Sequence, residues 1–259
     1  MRSGIAASLA CALLTLAAHR ALLAQAGRGA QESSPAASPR AAAPFDLTGY
    51  WVSIVTEDWA WRMVTPRKGD YSSVPLNAEG RRVADTWDPA KDEERGDQCR
   101  SYGVGHIMRV PGRVHVTWDG DRTLKIETDA GRQTRLLQFD RSQGPSGEAD
   151  WQGRSIATWD AAGGRGSGGR GAPPPRSGSL KVVTTHMKPG YLRKNGVPYS
   201  ENAVITEYFD RHMEANGDWF TVTTIVDDPK YLLQPFITST DFRKEPDGSK
   251  WRPVPCTAR

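Results

Sequence analysis

The stretch VHVTWDGDRTLKIETDAGRQTRLLQF, residues 114–139, decides the fold that the sequence predicts. Apolar and polar residues alternate in its first two segments, and the turn-forming sequences DGD (119–121) and DAG (129–131) separate its three segments. A period of two places alternate side chains on opposite faces of a strand, and Asp/Gly sequences favour tight turns between strands. The stretch therefore predicts a three-stranded meander, which is typical of a β-barrel or a β-sandwich.

Further segments of the same kind extend this pattern over most of the chain. They lie at residues 49–55, 151–159, 180–187, 203–212, 219–226 and 236–242. We therefore predict an all-β fold, a lipocalin-like antiparallel barrel of about eight to ten strands. One short helix is expected over residues 77–84, and the other connections are expected to be long loops. Closing such a sheet removes its edges and leaves an interior that can hold one small ligand.

The N-terminal residues predict export. Arg2 precedes an apolar run at residues 5–18 that is too short to span a bilayer, and a small-residue site follows at 24–26. This order is typical of a secretory signal peptide, which we place at residues 1–26. We therefore expect a periplasmic or extracellular protein with no membrane-spanning segment after cleavage.

The remaining chain divides by composition. Residues 27–44, rich in Ala, Ser and Pro, predict a disordered linker, and residues 45–259 predict a single β-barrel domain. A Gly/Arg/Pro-rich insert interrupts this domain at 161–178. Arg/Gly repeats sometimes bind RNA, but this insert lacks interleaved aromatic residues, so a flexible loop is the favoured interpretation.

Charge and cysteine content narrow the classes of partner. The formal net charge is +4, and Arg2 and Arg20 would leave with the signal peptide, so neither nucleic acid nor an anionic membrane is indicated. Cys11 would leave as well. The remaining pair, Cys99 and Cys256, predicts a disulfide in an oxidising compartment. A redox-active or metal-binding pair is the alternative, but the C-x-x-C spacing typical of such pairs is absent.

Glu207 is the first candidate for chemistry. In the strand at 203–212 it shares a face with three apolar residues, Ala203, Ile205 and Phe209. If that face is the interior, Glu207 is a buried carboxylate, which is suited to general acid or base catalysis or to anchoring a polar ligand group. The alternative is a structural ion pair with an arginine on a neighbouring strand.

Four further polar residues are candidates for ligand binding: Arg109, His186, Tyr191 and Tyr208. His186 is in register with an apolar strand face, where it would either line a cavity or be a satisfied core residue. Tyr191 lies in a long Pro/Gly-containing connection, and such loops commonly carry function. The histidines lack ligand spacing, and no hydrolase or dinucleotide motif occurs, so we predict no metal and no cofactor. The catalytic candidates are Glu207 and His186.

Several motifs together resemble a known family. They are DLTGYW at 46–51, IMRVP at 107–111, WQGRSIATW at 151–159, NGVPYS at 195–200, DDP at 227–229 and YLLQPF at 231–236. The set is similar to a family of exported, uncharacterised bacterial proteins, and the resemblance implies export and an all-β fold but transfers no catalytic residue. Here Asp160 and the Gly-rich insert follow Trp159, where that family continues Trp-Glu-Gly-Asp. Gly49 and Trp51 also resemble the Gly-x-Trp start of lipocalins.

Three functions follow as hypotheses. The first is an exported barrel that binds a small apolar or amphipathic ligand. The second is a barrel enzyme of the isomerase, cyclase or hydratase type, which needs Glu207 close to His186 or to a tyrosine. The third is a cell-envelope interaction module that uses the insert and an early cluster of tryptophans at 51–87. The sequence does not predict the oligomeric state.

Overall fold

Nine strands close into one β-barrel and follow one another around it in chain order. This architecture comes from a computed structural model that describes residues 37–140, 147–161 and 178–259. The predicted signal peptide lies outside the described residues, and so do residues 162–177 of the predicted insert. The barrel strands are β1 (Gly49–Ile54), β2 (Arg113–Asp119), β3 (Thr123–Thr128), β5 (Thr134–Gln138), β6 (Arg154–Ala161), β7 (Gly178–Thr185), β10 (Val204–Glu214), β11 (Gly217–Asp227) and β12 (Phe236–Glu245).

Smaller elements surround the barrel. Two small sheets pair β4 (Ala130–Gly131) with β13 (Val254–Pro255) and β8 (Gly190–Arg193) with β9 (Val197–Tyr199). The described helices are α1 (Trp59–Arg62), α2 (Ala78–Ala84) and α3 (Pro89–Glu94), and two 3-10 turns occupy Arg100–Tyr102 and Ile107–Arg109. None of the helices in the described residues is long and apolar enough to cross a membrane.

The all-β barrel prediction is confirmed, with one correction to the strand directions. Eight neighbouring pairs are antiparallel, but β5 and β6 run parallel. Directions cannot alternate throughout a closed ring of nine strands, so a wholly antiparallel barrel of this size is impossible. The parallel pair is short, because only Leu137 with Ser155 and Gln138 with Ile156 are in register. The analogy with lipocalins stays a prediction.

The barrel interior is a packed aromatic core over much of its length. Trp51, Phe209, Phe220 and Phe242 are each at most 1% exposed. The Phe220 ring centroid lies 4.8 Å from that of Trp51 and 4.7 Å from that of Phe242. Burying such side chains contributes roughly 1.5–3 kcal/mol each. Around Phe220, packed side chains fill the barrel interior in place of the hollow that the sequence predicted.

Three long connections form a cap over one end of the barrel, at residues 55–112, 186–203 and 228–235. They build a second hydrophobic cluster, in which Leu192, Val197 and Tyr199 are fully buried. The strand alternation in the sequence predicts the barrel but carries no information about this cap.

The predicted disulfide is present between Cys99 and Cys256, whose Cα atoms lie 5.1 Å apart. It joins the C-terminal tail to the cap across 157 residues of sequence. In the chain-entropy model a link of this length contributes about 5 kcal/mol to stability.

The helix predicted at 77–84 is α2. Asn77 caps it, because its side chain accepts a hydrogen bond from the Gly80 backbone N–H at 2.8 Å. The described chain also contains α1 and α3, which the sequence did not predict because each is too short to show helical periodicity.

The other end of the barrel meets the described part of the predicted linker. Residues 38–44 contain turns, and the Trp159 indole N–H donates to the Pro39 carbonyl at 2.8 Å. The Phe45 ring packs edge-on against Trp159, with 5.3 Å between ring centroids. Residues 38–45 therefore contact the barrel.

Candidate binding site

Glu207 faces the barrel interior and forms an ion pair there. Its two carboxylate oxygens accept hydrogen bonds from Nη1 and Nη2 of Arg135, the first at 3.1 Å, and both side chains are 0% exposed. Arg135 belongs to β5, so the pair spans the interior instead of joining neighbouring strands. The structural interpretation of Glu207 therefore fits this geometry better than the catalytic one.

The other predicted residues lie in separate parts of the molecule. Arg109 and Tyr191 belong to the cap. The Tyr191 hydroxyl donates a hydrogen bond to Asp92 at 2.8 Å. Burial is the largest cause that raises the pKa of Tyr191, and the hydrogen bond to Asp92 raises it further. Tyr208 lies on the outer barrel face beneath the Lys181 ammonium, which is 5.6 Å from its ring centroid. The structure does not bring these residues together into one site.

His186 does not point into the barrel. Strand β7 ends at Thr185, and His186 takes a left-handed conformation with φ of 55°. Its exposed ring lies 3.2 Å from the Gly147 carbonyl through Nε2. The enzyme hypothesis needed His186 or a tyrosine close to Glu207, whose oxygens are instead both bound to Arg135.

The early tryptophans do not form one surface either. Trp51 is core, Trp59 is 69% exposed, and the Trp61 indole N–H donates to Asp70 at 3.1 Å. The insert on which the interaction hypothesis also rests lies outside the described residues.

An open cleft of about 330 Å³ lies between β5 and β6. We call it the β5–β6 cleft. Its lining residues are Thr134, Leu136, Gln138, Glu148, Asp150, Gln152, Gly153, Arg154, Ser155 and His186. Of the sequence candidates, only His186 lines it. Its volume is at the lower end of the range for small-molecule pockets, about 300–1,000 Å³.

The cleft exists because the parallel pair is short. β5 and β6 are in register only at Leu137 and Gln138, so the strands separate towards the cap. A tight turn then starts β6: the Asp150 carboxylate accepts the backbone N–H groups of Gln152 at 2.8 Å and Gly153 at 2.7 Å. Gly153 has φ of 59°, and an added Cβ would lie 2.7 Å from the Thr185 carbonyl oxygen, so the turn requires glycine.

Three side chains in the cleft carry buried polar atoms without a hydrogen-bond partner among the described residues. These atoms are Nε and Nη2 of Arg154, Oε1 of Gln138 and Oε1 of Gln152. The amide nitrogen of Gln152 fixes the orientation of this side chain, because Nε2 donates a hydrogen bond to the Tyr102 carbonyl at 2.7 Å. Leaving a buried polar group unpaired costs about 1–3 kcal/mol, so such atoms usually have a partner. Their convergence on one cleft makes it the strongest candidate for a polar ligand.

The rim of the cleft adds charge and an apolar contact. Glu148 and Asp150 are exposed there, and the Leu136 side chain is 43% exposed. One edge therefore offers guanidinium donors, the rim offers carboxylates, and β5 offers an apolar surface.

No protein-family model, curated protein or solved structure matches this sequence. The family resemblance therefore stays a prediction, and no residue role comes from it. Among the described residues, no group of three or more His, Cys, Asp or Glu side chains is placed to hold a metal ion.

The sequence did not identify Arg154, Gln138 or Gln152 as site residues. One signal was present: fifteen residues separate β5 from β6, and parallel strands need a connection of about a dozen residues or more. That signal is ambiguous, because a connection of similar length joins β6 to β7, which are antiparallel.

Proposed function

We propose that this is an exported small-molecule binding protein whose ligand occupies the β5–β6 cleft. The observation that carries the proposal is Arg154, which lines the cleft of about 330 Å³ and has two buried donor nitrogens, Nε and Nη2, without a hydrogen-bond partner among the described residues. The N-terminal sequence and the Cys99–Cys256 disulfide support export.

The Arg154 group favours a carboxylate on the ligand. A guanidinium binds a carboxylate through two parallel hydrogen bonds, and charge-assisted bonds of this kind are about twice as strong as neutral ones. Nε and Nη2 are adjacent donors on one edge of the guanidinium, which is the arrangement that such a bidentate contact uses. Gln138 and Gln152, which line the same cleft, each carry an unpaired amide oxygen that can accept a hydrogen bond.

The rim favours an ammonium group on the same ligand. Glu148 and Asp150 provide two carboxylates, and one Asp150 oxygen is already taken by its turn. A purely anionic ligand would meet repulsion there, whereas a zwitterion has a partner for each charge. The exposed Leu136 adds an apolar contact, so a free amino acid with an aliphatic side chain fits best.

This ligand is amphipathic, in agreement with the first hypothesis from the sequence. That hypothesis placed the ligand in the barrel interior, whereas the present proposal places it in the β5–β6 cleft. The packed aromatic core around Phe220 favours the cleft over the barrel interior. The cleft lies where strand pairing is incomplete, so ligand binding there leaves the core unchanged.

Three matched probes test the proposal by isothermal titration calorimetry with the mature chain. L-leucine carries both charges, 4-methylpentanoate lacks the ammonium, and 3-methylbutylamine lacks the carboxylate. We expect saturable binding of L-leucine and binding at least about tenfold weaker for each truncated probe, because each leaves a charged group of the cleft unpaired.

The Arg154→Gln variant should abolish L-leucine binding, whereas Arg122→Gln, which alters an exposed arginine beyond the cleft, should leave it unchanged. A wild-type protein that binds none of the aliphatic amino acids, or an Arg154→Gln variant that binds them normally, would overturn the proposal.

A further inference from the structure

A second group of arginines lies in the cap and shares no residue with the β5–β6 cleft. It consists of Arg62, Arg109 and Arg193, which we call the cap arginine cluster. These three residues are 6%, 3% and 1% exposed, respectively. Arginine is rarely buried to this extent unless it is paired with an acid.

Two of the three arginines have a carboxylate partner. Arg62 Nη1 donates to Glu57 at 2.6 Å, and Arg109 Nη2 donates to Asp58 at 2.7 Å. Arg193 forms no ion pair within the part of the chain that the structure describes; its Nη1 donates to the Ser72 carbonyl at 2.6 Å. The cluster therefore contains one buried positive charge without a partner.

Segment 57–62 brings the cluster together. Asp58 binds Arg109, the Trp61 ring lies over the Arg193 guanidinium at 4.7 Å, and Arg62 Nε donates to the Arg109 carbonyl at 2.9 Å. Burial, the largest cause, lowers the pKa of Arg193 to about 10; repulsion from Arg109 adds to this, and attraction by Asp58 and Asp70 opposes it. Arg109 thus acts electrostatically on Arg193, which remains charged at neutral pH.

Four buried donors in the cluster have no hydrogen-bond partner among the described residues. They are Nε and Nη1 of Arg109 and Nε and Nη2 of Arg193. A buried charge that lacks a partner is strongly destabilising, and unpaired guanidinium donors are the groups that proteins use to bind oxyanions.

Asp58 is the more exposed partner of its ion pair with Arg109. Its side chain is 26% exposed, whereas that of Arg109 is 3% exposed. Asp58 has φ of 50°, an uncommon conformation for a residue other than glycine, and its side chain forms no capping bond to α1. Arg62 anchors the helix independently through Ser53 and Glu57, so Asp58 can leave Arg109 without loss of that anchor.

We propose that the cap arginine cluster is a binding site for a small dianionic oxyanion, with phosphate as the matching chemistry, and that the anion takes the place of Asp58 on Arg109. With Asp58 displaced, Arg109 and Arg193 present two uncompensated positive charges, which equal the charge of the dianion. The four unpaired donor nitrogens and the released Arg109 Nη2 supply N–H groups for its oxygens.

The test uses the mature chain and inorganic phosphate at constant ionic strength, with chloride as the reference. Calorimetry and thermal melting should show saturable binding of phosphate and a rise in Tm with phosphate concentration. The Arg193→Met variant should lose this binding. Arg211→Gln, which alters an arginine paired with Asp218 on the barrel, should retain it.

The Asp58→Asn variant tests displacement separately and suits the backbone, because asparagine tolerates positive φ. It should bind phosphate about tenfold more tightly than the wild type, since the internal competitor has lost its charge. Phosphate effects no larger than those of chloride, or retained binding in a folded Arg193→Met variant, would overturn the site. Unchanged or weaker affinity in Asp58→Asn would overturn the displacement.

Discussion

Two buried arginines in this molecule have opposite surroundings. Arg135 in the barrel interior is matched by Glu207 through two hydrogen bonds, whereas Arg193 in the cap has a carbonyl, an aromatic ring and two unused donors. The first is complete in charge, because Glu207 compensates it, although Nε of Arg135 also lacks a hydrogen-bond partner among the described residues. The second is incomplete in charge, since no carboxylate among the described residues forms an ion pair with it, and the proposed anion site rests on this difference. Burial alone therefore does not identify a binding residue; the lack of a carboxylate partner among the described residues distinguishes Arg193 from Arg135.

The largest expected effect comes from breaking the complete pair. Glu207→Gln leaves Arg135 charged in a site that is 0% exposed, and we expect a loss of about 3–5 kcal/mol in the free energy of unfolding. Urea denaturation measures it. The double variant Arg135→Met with Glu207→Leu removes both charges and should recover most of the loss. A single variant as stable as the wild type would show that the pair is not needed for folding.

A smaller, pH-dependent effect is expected at His106 in the cap. Burial lowers its pKa to about 3, and its Nδ1 lies 2.8 Å from the Ser101 carbonyl. The unfolded chain takes up a proton below pH 6.5 while the folded chain does not, so stability falls as pH decreases from 6.5 towards 3. The slope approaches about 1.4 kcal/mol per pH unit.

Denaturation of His106→Gln at pH 6.5 and pH 5, where few carboxylates titrate, isolates this contribution. The variant should lose less stability than the wild type between the two values. Parallel losses in both proteins would assign the pH dependence to other groups.

The smallest effect is expected at the incomplete arginine. In chloride buffer, Arg193→Met should change the free energy of unfolding by no more than about 1 kcal/mol. Removal of an unpaired buried charge offsets the lost cation–π contact, of about 0.5–1 kcal/mol, and the lost hydrogen bond to the Ser72 carbonyl. Urea denaturation beside Glu207→Gln tests the comparison directly. A loss as large as that of Glu207→Gln would show that Arg193 is compensated in a way that the hydrogen bonds do not show.

The sequence predicted the parts of this fold that depend on local pattern. Strand alternation correctly grouped Ile205, Glu207 and Phe209 on one face, which is buried in the structure. The side chain of Asn77 caps the predicted helix, and the two remaining cysteines are joined. Strand alternation and helix capping depend on residues close in sequence, and only two cysteines remain after the predicted cleavage, so only one intramolecular disulfide is possible.

The sites could not be predicted in the same way, because they depend on contacts between distant segments. Arg154 becomes a candidate only when β6 is known to run parallel to β5. Arg193 becomes a candidate only when Asp58, 135 residues earlier in the chain, is known to bind Arg109 and not Arg193. His186 shows the limit of periodicity: alternation predicted an inward side chain, but the strand ends one residue before it.

The parallel seam between β5 and β6 has a consequence for how this architecture can vary. Gain or loss of a β-hairpin changes the strand number by two and therefore preserves its parity. Any barrel that descends from this one by such steps must retain a seam of parallel strands somewhere in its wall. In this barrel the wall is least completely paired along that seam, where the β5–β6 cleft opens, so strand parity preserves the parallel pair beside which the cleft forms.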